Sequence, residues 1–419
     1  MGKSAEKPVS TARPGRAKGS FSTKRALVVL GVLVLVVLLD FFLKDIVPDS
    51  SVRQLLMLAA CNVLVALSLN VINGMAGQFS IGHAGFIGIG AYTSAVLASN
   101  MHQSFGGGDP SFARSFVVVP LCLLASACMA GLFGFLVGLP SLRLRGDYLA
   151  IVTLGFAEIF RLVIATAQAD TGKGNGIFTK IAAALSSLGG QNGYQGVNNA
   201  GVPLYAGPFW VFGLAALIGV VAWRIKFSGW GRALRALRED EIAAAAVGVD
   251  PTRYKVTSFV IAAAGGGIAG GLMALMRDGL GIVNPDNFNF QTSFDAITMV
   301  ILGGSGSVTG SAIGGIFITF TVKAIELLQG SSVVQDLRHS AEWLDLNALR
   351  MIIYAMVLIA LMVLRPEGML GERELFSKKR KKPEGPANAG GSSKASSSAE
   401  GEGDGKAKAG VEAPTGTGG

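Results

Sequence analysis

The chain has 419 residues, of which 50% are hydrophobic and 15% charged, with a mean hydropathy of +0.51. This composition excludes an ordinary soluble domain and points to an integral membrane protein. The formal charge of +9 does not mark a nucleic-acid partner, because the basic surplus sits in residues 1–25 and in KKRKK at 378–382. Basic clusters beside apolar segments act as topology signals, helped by anionic lipid.

Apolar runs recur at 26–43, 55–73, 80–98, 117–139, 148–167, 208–223, 256–276 and 348–364. Several approach the ~20 residues that carry a helix across about 30 Å of hydrocarbon. The first is too long, and too poor in a small-residue cleavage pattern, for a removable signal peptide. A further apolar block at 294–328 is interrupted by Gly303, Gly304, Ser305, Gly306 and Ser307. The fold class is therefore all-α: a polytopic membrane helix bundle of eight to ten transmembrane helices with a broken or re-entrant pair. Lys and Arg collect on the cytoplasmic side. That rule places both termini, Arg143, Arg145 and the basic loop at 224–255 together on that face. Counting crossings between them requires 294–328 to return to its starting side.

Within the chain, 68–92 (SLNVINGMAGQFSIGHAGFIGIGAY) is unusually dense in glycine, with Gly82, Gly85 and Gly88 at intervals of three. Glycine costs a helix roughly 1 kcal/mol relative to alanine. Two readings stay open: close helix packing, or a bent or broken helix lining a substrate path, which Phe79 and Phe86 would help to line. GGGIAGG at 265–271 contains the letters of a dinucleotide fingerprint but lies inside an apolar run with no strand before it. Small-xxx-small helix packing explains it better. No Walker A loop occurs anywhere in the chain, so no cofactor is expected here, and any ATP would be bound by another subunit.

Cys61, Cys122 and Cys128 lie within apolar runs and are read as buried small hydrophobes. His83, His102 and His339 are scattered, so neither a metal site nor a catalytic triad is indicated. His83, within an apolar run, is expected to pack and hydrogen-bond. No enzymatic centre is visible. Among intramembrane ionisable groups, Glu158 and Arg161 are three apart on one helix face and are read as a local pair, with a gating or lining role as the alternative. Asp295 opens the broken block and either caps that helix or faces the pathway. Lys323 and Glu326 form a second local pair.

The segment at 224–255 reads RIKFSGWGRALRALREDEIAAAAVGVDPTRYK. Acidic residues favour the positive N-terminal end of a short helix from Glu239 to Val247, and Gly248 can end it in a left-handed conformation. The small residues at 243–246 leave a shallow surface, and Arg232, Arg235 and Arg238 can pair with acidic groups around it. Physics alone leaves open a docking handle for a separate motor or a helical connector on the membrane surface.

Five strings fall in order across residues 55–365: 68–92, RLRGDYLAIVTLGFAEIFRLV at 143–163, GGQNGYQGV at 189–197, REDEIAAAAVG at 238–248, and FDAITMVILGGSGSVTGSAIGG at 294–315. Together they resemble the permeases of branched-chain amino acid ABC importers, above all the M-type member of the permease pair. Urea and short-amide importers carry very similar permeases, and ribose permeases share the fold more distantly. The resemblance implies an importer permease domain at 26–370 in a bacterial plasma membrane; charge makes 1–25 a basic cytoplasmic segment, and composition makes 371–419 a disordered cytoplasmic tail, since 383–419 is rich in Gly, Ser, Ala, Lys and Glu and cannot bury a core. The resemblance implies as partners a second homologous permease, two cytoplasmic ATP-binding subunits and an extracytoplasmic binding protein, besides membrane lipid. Carried onto this chain, Arg238, Glu241, Ala244 and Gly248 are the ATPase-coupling candidates. Gly82, Gly85, Phe86, Glu158, Arg161, Asp295, Gly303 and Gly304 are the translocation-path candidates. Two departures are visible. The coupling loop lacks an apolar-x-Leu-Pro ending after Gly248, and the external loop at 168–207 is enlarged by TGKGNG at 171–176. A secondary transporter driven through intramembrane acids such as Glu158 and Asp295, and a membrane scaffold, are the competing functions.

Overall fold

A computed structural model describes residues 47–141, 147–167, 183–279 and 281–329, then scattered positions at 355, 356, 359, 360, 363, 368–371 and 374. The expected span at 26–43, the TGKGNG insertion and the tail beyond 374 lie outside the described residues, and 348–364 is described only in part. The described residues form helices and turns with no strand, only two isolated backbone bridges.

Among them, six helices are long and apolar enough to cross a membrane. Helix α1 (Ser50–Leu69) starts at Asp49, whose side chain accepts from the Ser51 amide, and passes into a π-helical turn at Asn70–Met75. Residues 76–82 are not helical, and α2 (His83–Ser104) restarts the path. The glycine-dense segment is therefore a broken helix. α2 is long but is not among the six, because its glycines, serines and His83 lower its apolarity. Helices α3 (Phe112–Ser141), α4 (Asp147–Ala165) and α5 (Pro208–Phe227) follow. A loop unit then contains α6 (Gly229–Glu239) and α7 (Glu241–Ala246). Helices α8 (Pro251–Leu275), α9 (Phe290–Gly303) and α10 (Val308–Gln329) complete the described order.

α8 is the centre of the bundle, packed on α1, α2 and α3, and its glycines explain how. A Cβ on Gly270 would strike the Ile87 carbonyl, and one on Gly90 would strike the Gly267 backbone. Only bare backbones approach so closely, which is the packing expected of small-xxx-small helices in lipid. Between α2 and α3, Ser94 Oγ and Ser126 Oγ lie 2.6 Å apart, and Ser126 Oγ donates to the Gly90 carbonyl at 2.8 Å. His83 is buried and shares a 2.8 Å hydrogen bond with Ser68 Oγ, the packing role expected of it. Cys61 and Cys122 are buried, but Cys128 is exposed on the outer face of α3 and corrects the expectation of three buried thiols.

The block at 294–328 is broken as its glycines predict. α9 has 14 residues, too few at about 1.5 Å each to span the hydrocarbon alone. The segment before it dips inward instead: Tyr92 Oη donates to the Val283 carbonyl at 3.0 Å, and Phe288 packs 6.3 Å from the Tyr92 ring. After the break at 304–307, α10 runs back until Lys323 and Glu326 lie beside Ser51 and Gln54 at the start of α1. The start of α1 is also held to the 276–278 turn through Arg53 and Asp278 at 3.5 Å. The block thus returns to the side it came from, as the charge count requires.

Candidate functional site

Two helix breaks meet at the end of the bundle that carries α6 and α7. Asn70, fully buried at the start of the π turn, accepts from the Gly306 amide at 2.8 Å and donates to the Ser307 carbonyl at 3.2 Å. A Cβ on Gly74 would strike the Gly306 nitrogen, so the chains touch backbone to backbone. Around the first break, Asn73 exchanges hydrogen bonds with Ser80, Thr153 Oγ1 accepts from the Ile81 amide at 3.2 Å, and Ser293 Oγ accepts from the Ala84 amide at 3.1 Å. Non-helical backbone survives inside a membrane bundle only when its polar groups are met in this way. π turns also recur at functional positions.

The loop unit is tied directly to this junction. α6 buries Gly231, Leu234 and Leu237 on one face, and Arg238 in its last turn donates from Nη1 to the Gly74 carbonyl at 2.8 Å. A Cβ on Gly306 would lie 3.3 Å from that same Nη1. Arg232 and Arg235 donate to backbone carbonyls of Phe227, Gly231 and Lys226. Asp240 separates α6 from α7 because its carboxylate accepts from the Ile242 and Ala243 amides at 2.8 and 3.0 Å. The short helix expected over 239–247 is therefore α7 and begins after Asp240, with Glu239 belonging to the end of α6. Gly248 ends the second at φ 91°, with its amide donating to the Ala245 carbonyl at 3.0 Å. Glu241 is exposed and paired with Lys255 at 2.6 Å. Ala244 corrects the expected contact surface: it is 3% exposed and faces inward. The outward face instead carries Ile242 and Val247, 83% and 80% exposed.

The path candidates separate into groups. Gly303 and Gly304 lie at the second break, where Gly304 has φ 112° and a Cβ on Gly303 would meet the Gly310 backbone. Gly82 caps α2 against the Thr153 backbone, and Gly85 packs on Ala157. Phe86 is buried in an aromatic cluster with Phe156 and Phe259 at 5.3 and 5.6 Å, whereas Phe79, in the non-helical stretch, is exposed. Glu158 and Arg161 do pair, at 2.5 Å, and Arg161 also reaches Asp286 at 2.9 Å. Lys323 and Glu326 pair at 3.1 Å. Asp295 is not the cap of α9, since Asn289 accepts from the Thr292 amide and the helix begins at Phe290. Asp295 lies in the second turn and accepts from Gln291 Nε2 at 3.1 Å.

Sequence reasoning missed Asn70, Lys226, Glu374 and Gln78. Asn70 and Gln78 carried a signal, as amides within an apolar, glycine-dense stretch. Gln78 is 7% exposed and neither of its side-chain polar atoms has a partner among the described residues. Glu374 carried no local signal. Among the described residues there is no group of three or more His, Cys, Asp or Glu that could hold a metal.

Comparison with known proteins finds a match over residues 51–362 to the family described as branched-chain amino acid transport system, permease component. The high-affinity branched-chain amino acid transport system permease protein LivM of Escherichia coli is 32% identical over 361 residues, 83% of this chain and 76% of that protein. LivH of the same organism is 25% identical over 322 residues, 76% of this chain and 94% of its own length. The ribose import permease protein RbsC of Haemophilus influenzae is 25% identical over 318 residues, 74% and 86% of the two chains. No solved structure matches.

Proposed function

This chain belongs to the branched-chain amino acid transport permease family, and from that premise we propose that it is one of two permease subunits of an ATP-driven importer of leucine, isoleucine and valine. The observation that carries the reading is the loop unit at 229–248. It displays two bare aliphatic side chains, Ile242 and Val247, on and just after α7, while Arg238 at the end of the adjoining α6 is bonded to the broken helix at Gly74. Two aliphatic side chains held out on a polar loop suit the apolar centre of a contact with a partner protein. A load on that contact reaches the breaks through a short, hydrogen-bonded route.

In this reading the loop unit faces the cytoplasm, as its basic residues favour, and docks on one of two separate ATP-binding subunits. The sequence contains no Walker A loop. The second permease is a homologue of this one, a pairing supported by the likeness of this chain to both LivM and LivH of one organism. An extracytoplasmic binding protein delivers the amino acid to the opposite end, which is built from 189–206, 276–279 and 281–288. The path runs along the α2 and α9 breaks, where Phe79 and the glycines offer apolar surface and the buried Gln78 amide, unbonded among the described residues, is the polar group beside it. Glu158 and Asp286 each pair with Arg161, a state that favours a structural role for Glu158 over ion coupling.

The test is uptake of labelled leucine and labelled urea by vesicles containing this chain with its neighbouring transporter subunits, alongside Glu241→Ala and Gly248→Asp. ATP-dependent leucine uptake, reduced by the loop variants, is the expected result. Urea uptake moves the substrate and keeps the mechanism. Transport without any ATPase, unaffected by either variant, refutes the reading.

A further inference from the structure

The C-terminal side of the last apolar run returns to the second break. The Met369 amide donates to the Leu302 carbonyl at 2.7 Å and the Leu370 amide to the Gly303 carbonyl at 3.3 Å, which takes up two of the carbonyls left open where α9 ends. A Cβ on Gly304 would meet the Gly371 backbone at 2.5 to 3.1 Å. Glu374 then reaches the first turn of α10. Its Oε1 accepts from the Val308 amide at 2.8 Å, and its Oε2 from the Thr309 amide at 3.1 Å and the Thr309 hydroxyl at 2.6 Å. The Oε1 atom also receives Lys226 Nζ at 2.5 Å. Lys226 is in the last turn of α5, beside the Ser228 cap that opens α6, and its own carbonyl accepts from Arg235 Nη2 of α6 at 3.3 Å.

This pair is out of water: Lys226 is 5% exposed and Glu374 8%. A buried charge survives only if it is paired and hydrogen-bonded, and removing one partner leaves the other uncompensated. The carboxylate has a donor for each lone-pair direction it presents, and it sits at the N-terminal end of α10, where negative charge is favoured. One short segment therefore holds both halves of the broken pair, by backbone on α9 and by carboxylate on α10. Its charge partner belongs to the root of the loop unit.

We propose that Glu374 is a positioning residue of the transport cycle: with Lys226 it fastens the second break to the base of the coupling loop, so that movement of the loop displaces α10 as well as the first break. The loop then has two attachments to the breaks, Arg238 to the first and Lys226 through Glu374 to the second, and both breaks move together. This inference rests on the reading of 229–248 as the ATPase contact. It assigns a coupling role to a segment expected from sequence to be tail.

The experiment uses the assembled importer in proteoliposomes and reads the amount of leucine taken up per ATP hydrolysed. That ratio is insensitive to how much protein assembles. Glu374→Gln keeps the shape and loses the charge, while Glu374→Gln with Lys226→Met removes both charges and leaves no unpaired charge. The expected result is a ratio lowered roughly fivefold or more in both variants, in the range by which mutations along coupled networks act. An unchanged ratio in either variant that assembles overturns the proposal. Failure of both to assemble overturns it as well, by placing the pair in folding rather than coupling. If the wild-type assembly shows no substrate-dependent hydrolysis and no uptake, the importer reading itself has failed, an outcome visible before any variant is compared.

Discussion

Gln78 and Glu374 are both buried polar residues at helix breaks, and their surroundings assign them opposite effects. Gln78 has no hydrogen-bond partner among the described residues, and an unsatisfied buried amide costs on the order of 1–3 kcal/mol. Gln78→Leu is therefore expected to hold or raise the thermal stability of the purified chain while lowering leucine uptake. A variant that loses stability would show that the amide is satisfied after all. Glu374 is the satisfied case. Burial pushes its carboxyl up, but the bonds from Lys226, from the Thr309 hydroxyl and from the Val308 and Thr309 amides outweigh this and hold it below the ordinary carboxylate range. A carboxyl depressed on folding contributes stability that is present above the unfolded value and lost as pH falls through the folded one. The stability difference between wild type and Glu374→Gln is accordingly expected to be constant above about pH 5 and to shrink only below the unfolded value of roughly 4.3. Melting curves across that range check it; a difference that fades near neutral pH contradicts the assignment.

Glycine acts differently from helix to helix, and the difference lies in what each backbone faces. Gly270 of α8 meets the Ile87 backbone of α2, which has no room to give, whereas a Cβ on Gly131 of α3 would lie in ordinary contact at 3.7 Å with Ala264 and Val260. Gly270→Ala is expected to destabilise by about 1–3 kcal/mol through overpacking. Gly131→Ala is expected to be neutral or to gain up to ~1 kcal/mol of helix propensity. Equal effects in a melting experiment would mean that α2 and α8 are free to separate. In the sequence both are small residues in apolar runs, so the pattern announces close packing without saying which glycine makes it. The same limit applies to α6 and α7: composition favours a helix near 239–247, but the separation at Asp240 depends on one carboxylate capping two amides. The inward turn of Ala244 follows from how α7 lies on its neighbours.

For the whole molecule, the separation between a rigid centre and a displayed loop leads to a test of assembly. Ile242 and Val247 contribute little to the fold because both are largely exposed. Replacing both with Ser is expected to leave expression and melting within about 0.5 kcal/mol of wild type, as for surface changes generally, while co-purification with the proposed ATP-binding subunits is lost. Retained co-purification would move the contact elsewhere on the loop.

Membrane class, the spans that fall on described residues, the break near 303–307, the return of 294–328 to its own side and the loop helix ended at Gly248 were all legible in the chain. Each depends on local composition, on glycine, or on the bias of Lys and Arg, which act over a turn or a single span. The family resemblance was legible for the same reason, since its strings are local. Contacts between distant segments were not. Asn70 meets Gly306, Arg238 meets Gly74, and Glu374 meets Lys226 and Val308. In each, a polar group is left open where a helix stops, and a partner from far along the chain must satisfy it. The sequence marks where the helices stop, but only the packed bundle decides which side chain arrives, because in a dry interior an open backbone group accepts whatever donor or acceptor the surrounding helices bring within reach.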